Sequence, residues 1–185
     1  SYGVENIPNE NGFMFYPNHQ GLYDVLAIVD ACPTPFSVVA KKEVGNVPFL
    51  RQVFACMKAY MMDRNDIRQS LQVIVNVTNE VKNGRNYLIF PEGTRNRGEE
   101  LSILPFHAGS FKIAEKSGCA IVPISMNNTI SIFEKQFPRI KKTHVVIEYG
   151  EPIYPDKLDK DTRKHISEYC QNIIQETINK NQALV

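Results

Sequence analysis

The sequence lacks the features that mark several common protein classes. Its four cysteines form no C-x-x-C pair, and each lies in an apolar segment, which predicts reduced core thiols in a cytosolic compartment rather than a disulfide or metal framework. No apolar run reaches the roughly 18 residues of a spanning helix, and no signal peptide is recognisable. The net charge is only +1, from 21 basic and 20 acidic residues, so no nucleic-acid partner is expected.

The chain also lacks internal repeats, low-complexity tracts and linkers, so its 185 residues are predicted to form a single domain. Short apolar segments alternate with helical patterns, which predicts an α/β fold with a mostly parallel, mixed sheet flanked by helices. The predicted strands are residues 13–16, 36–40, 59–62, 86–90, 119–125 and 144–149. The predicted helices are residues 22–29, 47–57, 67–81, 107–116 and 161–180.

The turn between the first predicted strand and the first predicted helix carries His19 and Asp24, with four residues between them. On a regular helix two such positions lie about 140° apart and cannot face each other. The pair can meet only if His19 stands on the turn and Asp24 lies in the first helical turn. In that arrangement the carboxylate fixes the imidazole tautomer, and the imidazole can abstract a proton from a hydroxyl or thiol. The alternative interpretation is a helix-capping Asp and a surface His.

A second polar turn follows the fourth predicted strand, at residues 90–95. Gly93 allows backbone N–H groups to approach an anion closely, and Arg95 adds a planar cationic fork suited to phosphate. Glu92 would repel a phosphate, so we expect it to bond a glycerol-like hydroxyl or to hold Arg95. The alternative is a surface turn with a Glu–Arg pair. The polar residues 96–100 are predicted to form a mobile loop.

These motifs resemble the glycerolipid acyltransferase family, most closely the bacterial 1-acylglycerol-3-phosphate (lysophosphatidic acid) acyltransferases. His19 and Asp24 match the family's His-x-x-x-x-Asp, and residues 90–95 reproduce its Phe-Pro-Glu-Gly-Thr-Arg without change. Residues 58–64 keep only the final Asp-Arg of the family's Gly-x-x-Phe-Ile-Asp-Arg. Residues 121–124 resemble a short Val-Pro block, and the whole resemblance covers roughly residues 5–150.

The resemblance implies a glycerol-3-phosphate acyltransferase-like fold and the synthesis of phosphatidic acid. His19, oriented by Asp24, would take the proton from the free hydroxyl of 1-acylglycerol-3-phosphate, and the oxygen would attack the thioester of acyl-CoA or acyl-acyl-carrier-protein. The sequence has no G-x-S-x-G motif, and no serine or cysteine adjoins His19, so no covalent acyl-enzyme is expected. No metal or cofactor is expected, since the acyl donor is a co-substrate.

The resemblance also implies which residues bind substrate. Arg64 and Arg95, with the backbone at Gly93, would hold the acceptor phosphate, and Glu92 would position the glycerol part. The sequence does not assign the oxyanion donor; the candidates are a backbone N–H near Gly21 and one at the start of the first predicted helix. The predicted substrate-binding residues are Arg64, Glu92, Gly93, Thr94, Arg95 and two candidates for the family's basic residue before the second block, Lys41 and Lys42.

Two alternatives stay open: another acceptor (a lysophospholipid with a head group, glycerol-3-phosphate or a lyso-ornithine lipid), or a non-catalytic lipid-binding module. A lipid acceptor requires a membrane surface, so we expect a peripheral or monotopic protein on the cytoplasmic face of the cell membrane. The first residue is Ser1 rather than Met, and we expect an anchoring segment upstream. The basic run at 133–142, with interleaved apolar residues, suits an anionic membrane surface or a solvated loop.

Overall fold

The computed structural model describes residues 1–47, 49–98 and 101–185, which form a six-stranded sheet flanked by helices. The strands are β1 (Met14–Pro17), β2 (Ser37–Lys41), β3 (Tyr60–Met62), β4 (Tyr87–Ile89), β5 (Ile121–Asn127) and β6 (Val146–Tyr149). Their order across the sheet is β3-β2-β4-β1-β5-β6. Neighbouring strands from β3 to β5 pair in parallel, and β6 pairs antiparallel with β5. The predicted α/β fold with a mostly parallel, mixed sheet is confirmed.

The helices lie close to the predicted positions but differ at several ends. They are α1 (Asp24–Ala31), α2 (Leu50–Cys56), α3 (Ile67–Lys82), α4 (Lys112–Ser117), α5 (Lys160–Lys164) and α6 (Ile166–Asn181). The Asp66 side chain caps α3 by accepting a hydrogen bond from Gln69 N at 2.9 Å. The predicted helix 47–57 begins only at Leu50, after a 3₁₀ turn at Lys42–Asn46, and Pro48 lies outside the described residues.

The closing helix is two helices rather than one. The chain leaves helical geometry at His165, with φ −110° and ψ 30°. The His165 N–H is shared between the carbonyls of Asp161 and Thr162, which closes α5. A new helix then starts at Ile166, and its buried face, which includes Ile174 and Ile178, packs against β5.

Side chains of β1 alternate between two hydrophobic cores, one on each face of the sheet. Met14 and Tyr16 join the core formed with α3, α4 and α6, whereas Phe13 and Phe15 join the core formed with α1 and α2. The central strand is therefore buried on both faces, as parallel strands usually are. None of the four cysteines forms a disulfide. Cys119 and Cys170 are buried, but Cys32 is partly exposed and Cys56, at the end of α2, is exposed, which corrects the expectation that all four lie in the core. Among the described residues, no helix is both long and apolar enough to traverse a bilayer.

The sheet topology brings four loops to one edge. The strands β3, β2, β4 and β1 are adjacent and parallel, so the loops that follow them leave the sheet on the same side. These loops carry Arg64 after β3, Lys42 after β2, Glu92 after β4 and His19 after β1. The predicted site residues are thus collected from positions up to 76 residues apart, from His19 to Arg95.

Candidate active site

The two residues of the first motif are hydrogen-bonded to each other. His19 Nδ1 lies 2.8 Å from Asp24 Oδ2, and Asp24, the first residue of α1, is completely buried. The same carboxylate oxygen accepts hydrogen bonds from Gln20 N at 2.7 Å and Gly21 N at 2.9 Å. Because the ionised oxygen is an acceptor only, the His19 Nδ1 must carry the proton, which leaves Nε2 as the basic nitrogen.

The His19 ring is held from the side of β4 as well. It stacks on Phe90, with ring centroids 3.9 Å apart and planes inclined by 23°. The His19 carbonyl accepts a hydrogen bond from Asn96 N at 2.7 Å. Asn96 is buried and its side-chain amide donates to Ser102 O at 2.6 Å, so this part of the predicted mobile loop is fixed. Glu99 and Glu100, which the same prediction covers, lie outside the described residues.

Glu92 joins the loop after β4 to the histidine turn. Its Oε1 accepts from His19 N at 2.6 Å and its Oε2 accepts from Leu104 N at 2.8 Å, while the residue is only 2% exposed. Burial raises the pKa of Glu92 to about 7; the two backbone hydrogen bonds oppose this shift, and the charge of Asp24 adds to it. Each Glu92 oxygen therefore already accepts one backbone hydrogen bond, and its predicted contact with the acceptor glycerol stays a prediction. Glu92 positions the loop that carries His19.

Arg64 and Gly93 lie in direct contact. Gly93 has φ +71°, and a Cβ placed there would lie 1.9 Å from Arg64 Nη1. A glycine is therefore needed both for the left-handed backbone and for the space that the guanidinium fills. Across the described ranges, no acidic side chain comes within ion-pair distance of Arg64, so its donors point to no protein carboxylate.

Arg95 has a partner that sequence reasoning missed. Its Nη1 lies 3.1 Å from Glu134 Oε1, and the same oxygen accepts from Leu22 N at 2.6 Å. Glu134 lies 39 residues after Arg95, in the short 3₁₀ turn Glu134–Gln136. The one available signal was a single acidic residue inside the basic run 133–142. Glu134 thereby connects the arginine to the first residues after His19.

A cavity of about 120 Å³ opens beside the His19 ring. The polar side chains that line it are those of His19, Lys41, Arg64 and Arg95. Its remaining lining is apolar or backbone: Leu22, Val25, Val38, Val39, Ala40, Val44, Leu50, Phe54, Met62, Ile89, Phe90 and Gly93. The arrangement places a basic nitrogen and two guanidinium groups around an apolar channel. This lining offers cationic groups to an anion and apolar walls to hydrocarbon.

The other predicted substrate-binding residues do not all reach this cavity. Lys41 lines it and pairs with Glu43 at 3.3 Å. Lys42 pairs instead with Asp63 at 3.3 Å, next to Arg64, and Thr94 is exposed. Neither Lys42 nor Thr94 belongs to the described lining of the cavity, and their contact with substrate stays a prediction. No group of three His, Cys, Asp or Glu residues suited to a metal ion occurs in the described ranges.

Several 1-acyl-sn-glycerol-3-phosphate acyltransferases resemble this chain over most of its length. The 1-acyl-sn-glycerol-3-phosphate acyltransferase of Borreliella burgdorferi is 35% identical over 133 residues, which are 72% of this chain and 52% of that protein. The Escherichia coli enzyme of the same name is 30% identical over 166 residues, covering 89% of this chain and 66% of its own length. The yeast (Saccharomyces cerevisiae) enzyme is 29% identical over 172 residues, 92% of this chain and 55% of its own. The chain thus spans about half the length of the yeast and Borreliella relatives.

A solved structure has the same fold. The crystal structure of the 1-acyl-sn-glycerophosphate (LPA) acyltransferase from Thermotoga maritima matches with a TM-score of 0.81 and 24% identity, over 98% of this chain and 70% of that one. A model of the family described as Acyltransferase matches residues 1–127, which include the His19–Asp24 pair and both arginines of the cavity. Because that match takes in more than half of the chain, the protein belongs to the acyltransferase family.

Proposed function

We propose that this chain transfers an acyl group from a thioester donor to the free hydroxyl of 1-acylglycerol-3-phosphate, giving phosphatidic acid. The proposal is supported by the relatives, which are named for this reaction. The observation that carries it is the lining of one cavity by His19, Arg64, Arg95 and Lys41 beside an otherwise apolar surface. A base, two phosphate-binding groups and a hydrocarbon-compatible wall are what this acceptor requires.

In the proposed reaction His19 acts as a general base. Its Nε2 takes the proton of the acceptor hydroxyl while the oxygen attacks the thioester carbonyl, and Asp24 stabilises the imidazolium. Collapse of the tetrahedral intermediate breaks the C–S bond, and the leaving thiolate takes the proton from the imidazolium. No serine or cysteine occurs in the described lining of the cavity, which supports direct transfer without an acyl-enzyme.

The two arginines hold the acceptor phosphate in this proposal. Arg64 meets no described carboxylate at ion-pair distance, and the Arg95 guanidinium engages Glu134 through one nitrogen only, so both keep donors for phosphate oxygens. Lys41, at the cavity lining, adds a cation for a phosphate of either substrate. The proposed donor is acyl-CoA or acyl-acyl-carrier-protein. Because the proposed acceptor is a lipid and these donors are made in the cytoplasm, we expect the reaction at the cytoplasmic face of the cell membrane.

A radiolabelled acyl-transfer assay across several acceptors tests the proposal. The acceptors are 1-acylglycerol-3-phosphate, glycerol-3-phosphate, a lysophospholipid with a head group and a lyso-ornithine lipid, each with both donor types. We expect product only, or predominantly, with 1-acylglycerol-3-phosphate, and none with His19→Ala. Preferential acylation of another acceptor would assign the site to that acceptor, and lipid binding without turnover would make the chain a binding module.

A further inference from the structure

The loop of residues 133–142, called the basic loop below, combines exposed apolar and cationic side chains. Phe137 is 74% exposed and Ile140 59% exposed. Three exposed cations lie beside them in the loop, Arg139, Lys141 and Lys142, and the only acidic residue among residues 133–142 is Glu134. Glu134 pairs with Arg95 of the cavity, so it does not neutralise these three cations.

The basic loop is folded before any partner arrives. Gln136 N and Arg139 N each donate at 2.9 Å, to Phe133 O and Gln136 O. Lys141 N donates to Ile132 O at 3.3 Å, which closes the loop on its own start. The Phe133 ring lies 5.4 Å from that of Phe137. A preformed surface of this kind binds without first losing the conformational entropy of a disordered segment.

The basic loop also lies against the candidate active site. Glu134 is bonded to Arg95 of the cavity and to Leu22 N, three residues after His19. The Phe133 ring lies 5.5 Å from Tyr23, next to Asp24. A partner that covers Phe137 and Ile140 therefore meets the molecule beside the cavity that the lipid acceptor must enter.

We propose that the basic loop docks on an anionic lipid bilayer, with Phe137 and Ile140 entering the interfacial region and Arg139, Lys141 and Lys142 meeting lipid phosphates. The proposal rests on the proposed function, since it supplies the surface from which the acceptor reaches Arg95 and His19. Charge complementarity selects this occupant: bulky apolar side chains rimmed by lysine and arginine are the pattern of interfacial membrane contact. An acidic carrier protein would also meet the cations, and the experiment below separates the two.

A second exposed apolar surface serves as the matched control. On α3, Ile67 is 75%, Leu71 54% and Val75 45% exposed, so this stripe presents as much apolar surface as the loop. Between residues 67 and 75, however, the only charged residue is Arg68. If apolar exposure alone decided membrane contact, the two surfaces would contribute alike. If charge and apolar groups act together, the basic loop dominates.

Co-sedimentation with phosphatidylserine-containing and with pure phosphatidylcholine vesicles, at low and high salt, tests the proposal. The variants are Lys141→Ser/Lys142→Ser, Phe137→Ser/Ile140→Ser and the control Ile67→Ser/Leu71→Ser, each checked for folding by circular dichroism. We expect the lysine variant to lose on the order of fivefold in anionic-vesicle binding for each cation removed at low salt. The apolar loop variant should lose binding at both salt concentrations, and the control should bind like wild type.

An acyl-transfer assay separates a failure of the docking proposal from a failure of the proposed function. The loop variants should lose activity towards vesicle-embedded 1-acylglycerol-3-phosphate but keep it towards a monomeric, short-chain form. Normal vesicle binding by both loop variants would overturn the proposal, as would a loss confined to the α3 control. Normal vesicle binding with a raised KM for acyl-acyl-carrier-protein would instead assign the loop to the carrier protein. If wild type acylates neither form, the proposed function fails, while the vesicle result still decides the docking surface.

Discussion

The two ends of the cavity differ in the sequence separation of the contacts that hold them. The His19–Asp24 turn is held by contacts between residues close in sequence, and the arginine end by contacts between residues far apart. The Asp24 carboxylate collects its three hydrogen bonds from His19, Gln20 and Gly21, all within five residues. The arginine end instead brings Arg64 against Gly93, and Arg95 against Glu134, across 29 and 39 residues. Local hydrogen bonds can form once the turn exists, whereas the arginine contacts require the parallel sheet. Substitutions at the two ends should therefore differ in what they damage.

The largest effect is expected at the local end. His19→Ala should lower the rate of acyl transfer by about 10²–10⁴-fold, because a general base contributes that much and no other described base lines the cavity. Asp24→Asn should also lower kcat strongly, since an amide cannot accept all three donors as the carboxylate does. Steady-state kinetics with saturating donor and acceptor measure both, with circular dichroism as the folding control. A variant that keeps half of the wild-type rate would remove His19 or Asp24 from the mechanism.

Glu92 connects the two ends, and its ionisation should make stability depend on pH. Its pKa is about 7 in the folded protein, whereas the ordinary value is 4.5. Below pH 4.5 the Glu92 carboxyl is protonated in both the folded and the unfolded protein. Between pH 4.5 and 7 the unfolded chain loses this proton while the folded protein keeps it, so the free energy of unfolding falls as pH rises. The fall amounts to about 3 kcal/mol.

Urea unfolding of wild type and Glu92→Gln at the two ends of this pH window tests the prediction. Glutamine does not ionise, so the stability advantage of wild type should shrink towards the higher pH. The variant should be the less stable protein at low pH, because its amide replaces one acceptor of the His19 and Leu104 N–H groups. A wild-type advantage that grows with pH would show that burial does not control this carboxyl.

A smaller effect should appear at the long-range end. Glu134→Gln weakens the pair with Arg95, so we expect the KM for the acceptor to rise by roughly tenfold while the KM for the donor and kcat change little. Arg95→Ala should raise the acceptor KM further, and Arg95→Lys should recover only part of the loss. Glu115→Gln, which breaks the exposed pair with Lys112, is the matched control and should behave like wild type.

The kinetics of Glu134→Gln show whether Glu134 acts through Arg95 or through Leu22 N. A raised KM for the acceptor indicates that Glu134 acts through Arg95. A fall in kcat with unchanged KM would indicate that it acts through Leu22 N and the His19 turn, and would make the two ends of the site less independent than the structure indicates.

The smallest effect concerns the second sequence block, where the family's glycine is replaced by Lys58. Lys58 has φ +52°, the left-handed region that glycine adopts without strain. Lys58→Gly should therefore stabilise the fold, by up to about 1 kcal/mol, since relief of backbone strain exceeds the added flexibility of the unfolded chain. Thermal unfolding measures this, with Arg68→Gly in α3 as the control, which should destabilise by about 1 kcal/mol. A lower melting temperature for Lys58→Gly would show that the lysine side chain makes a stabilising contact of its own.

Within this site, the features that sequence reasoning recovered are those with a local physical cause. The order of strands and helices followed from hydrophobic periodicity, and the helix boundaries differ mainly where caps and 3₁₀ turns compete, as at Leu50 and His165. The meeting of His19 with Asp24 followed from the geometry of a turn that enters a helix. The role of Glu92 did not follow, because its backbone partners at His19 and Leu104 come from two different loops.

The sequence by itself determined the α/β class and the histidine turn, since periodicity and turn geometry are properties of neighbouring residues. The expectation that Arg64 binds phosphate came from the family resemblance instead, and for both Arg64 and Arg95 phosphate binding stays a prediction. Only the tertiary structure decided which of these groups share one cavity, because the order β3-β2-β4-β1 brings separate loops to one edge of the sheet. It also decided that Glu134 holds Arg95 and that Glu92 holds the His19 loop. Those contacts depend on burial and on distances across the fold, which no local pattern encodes.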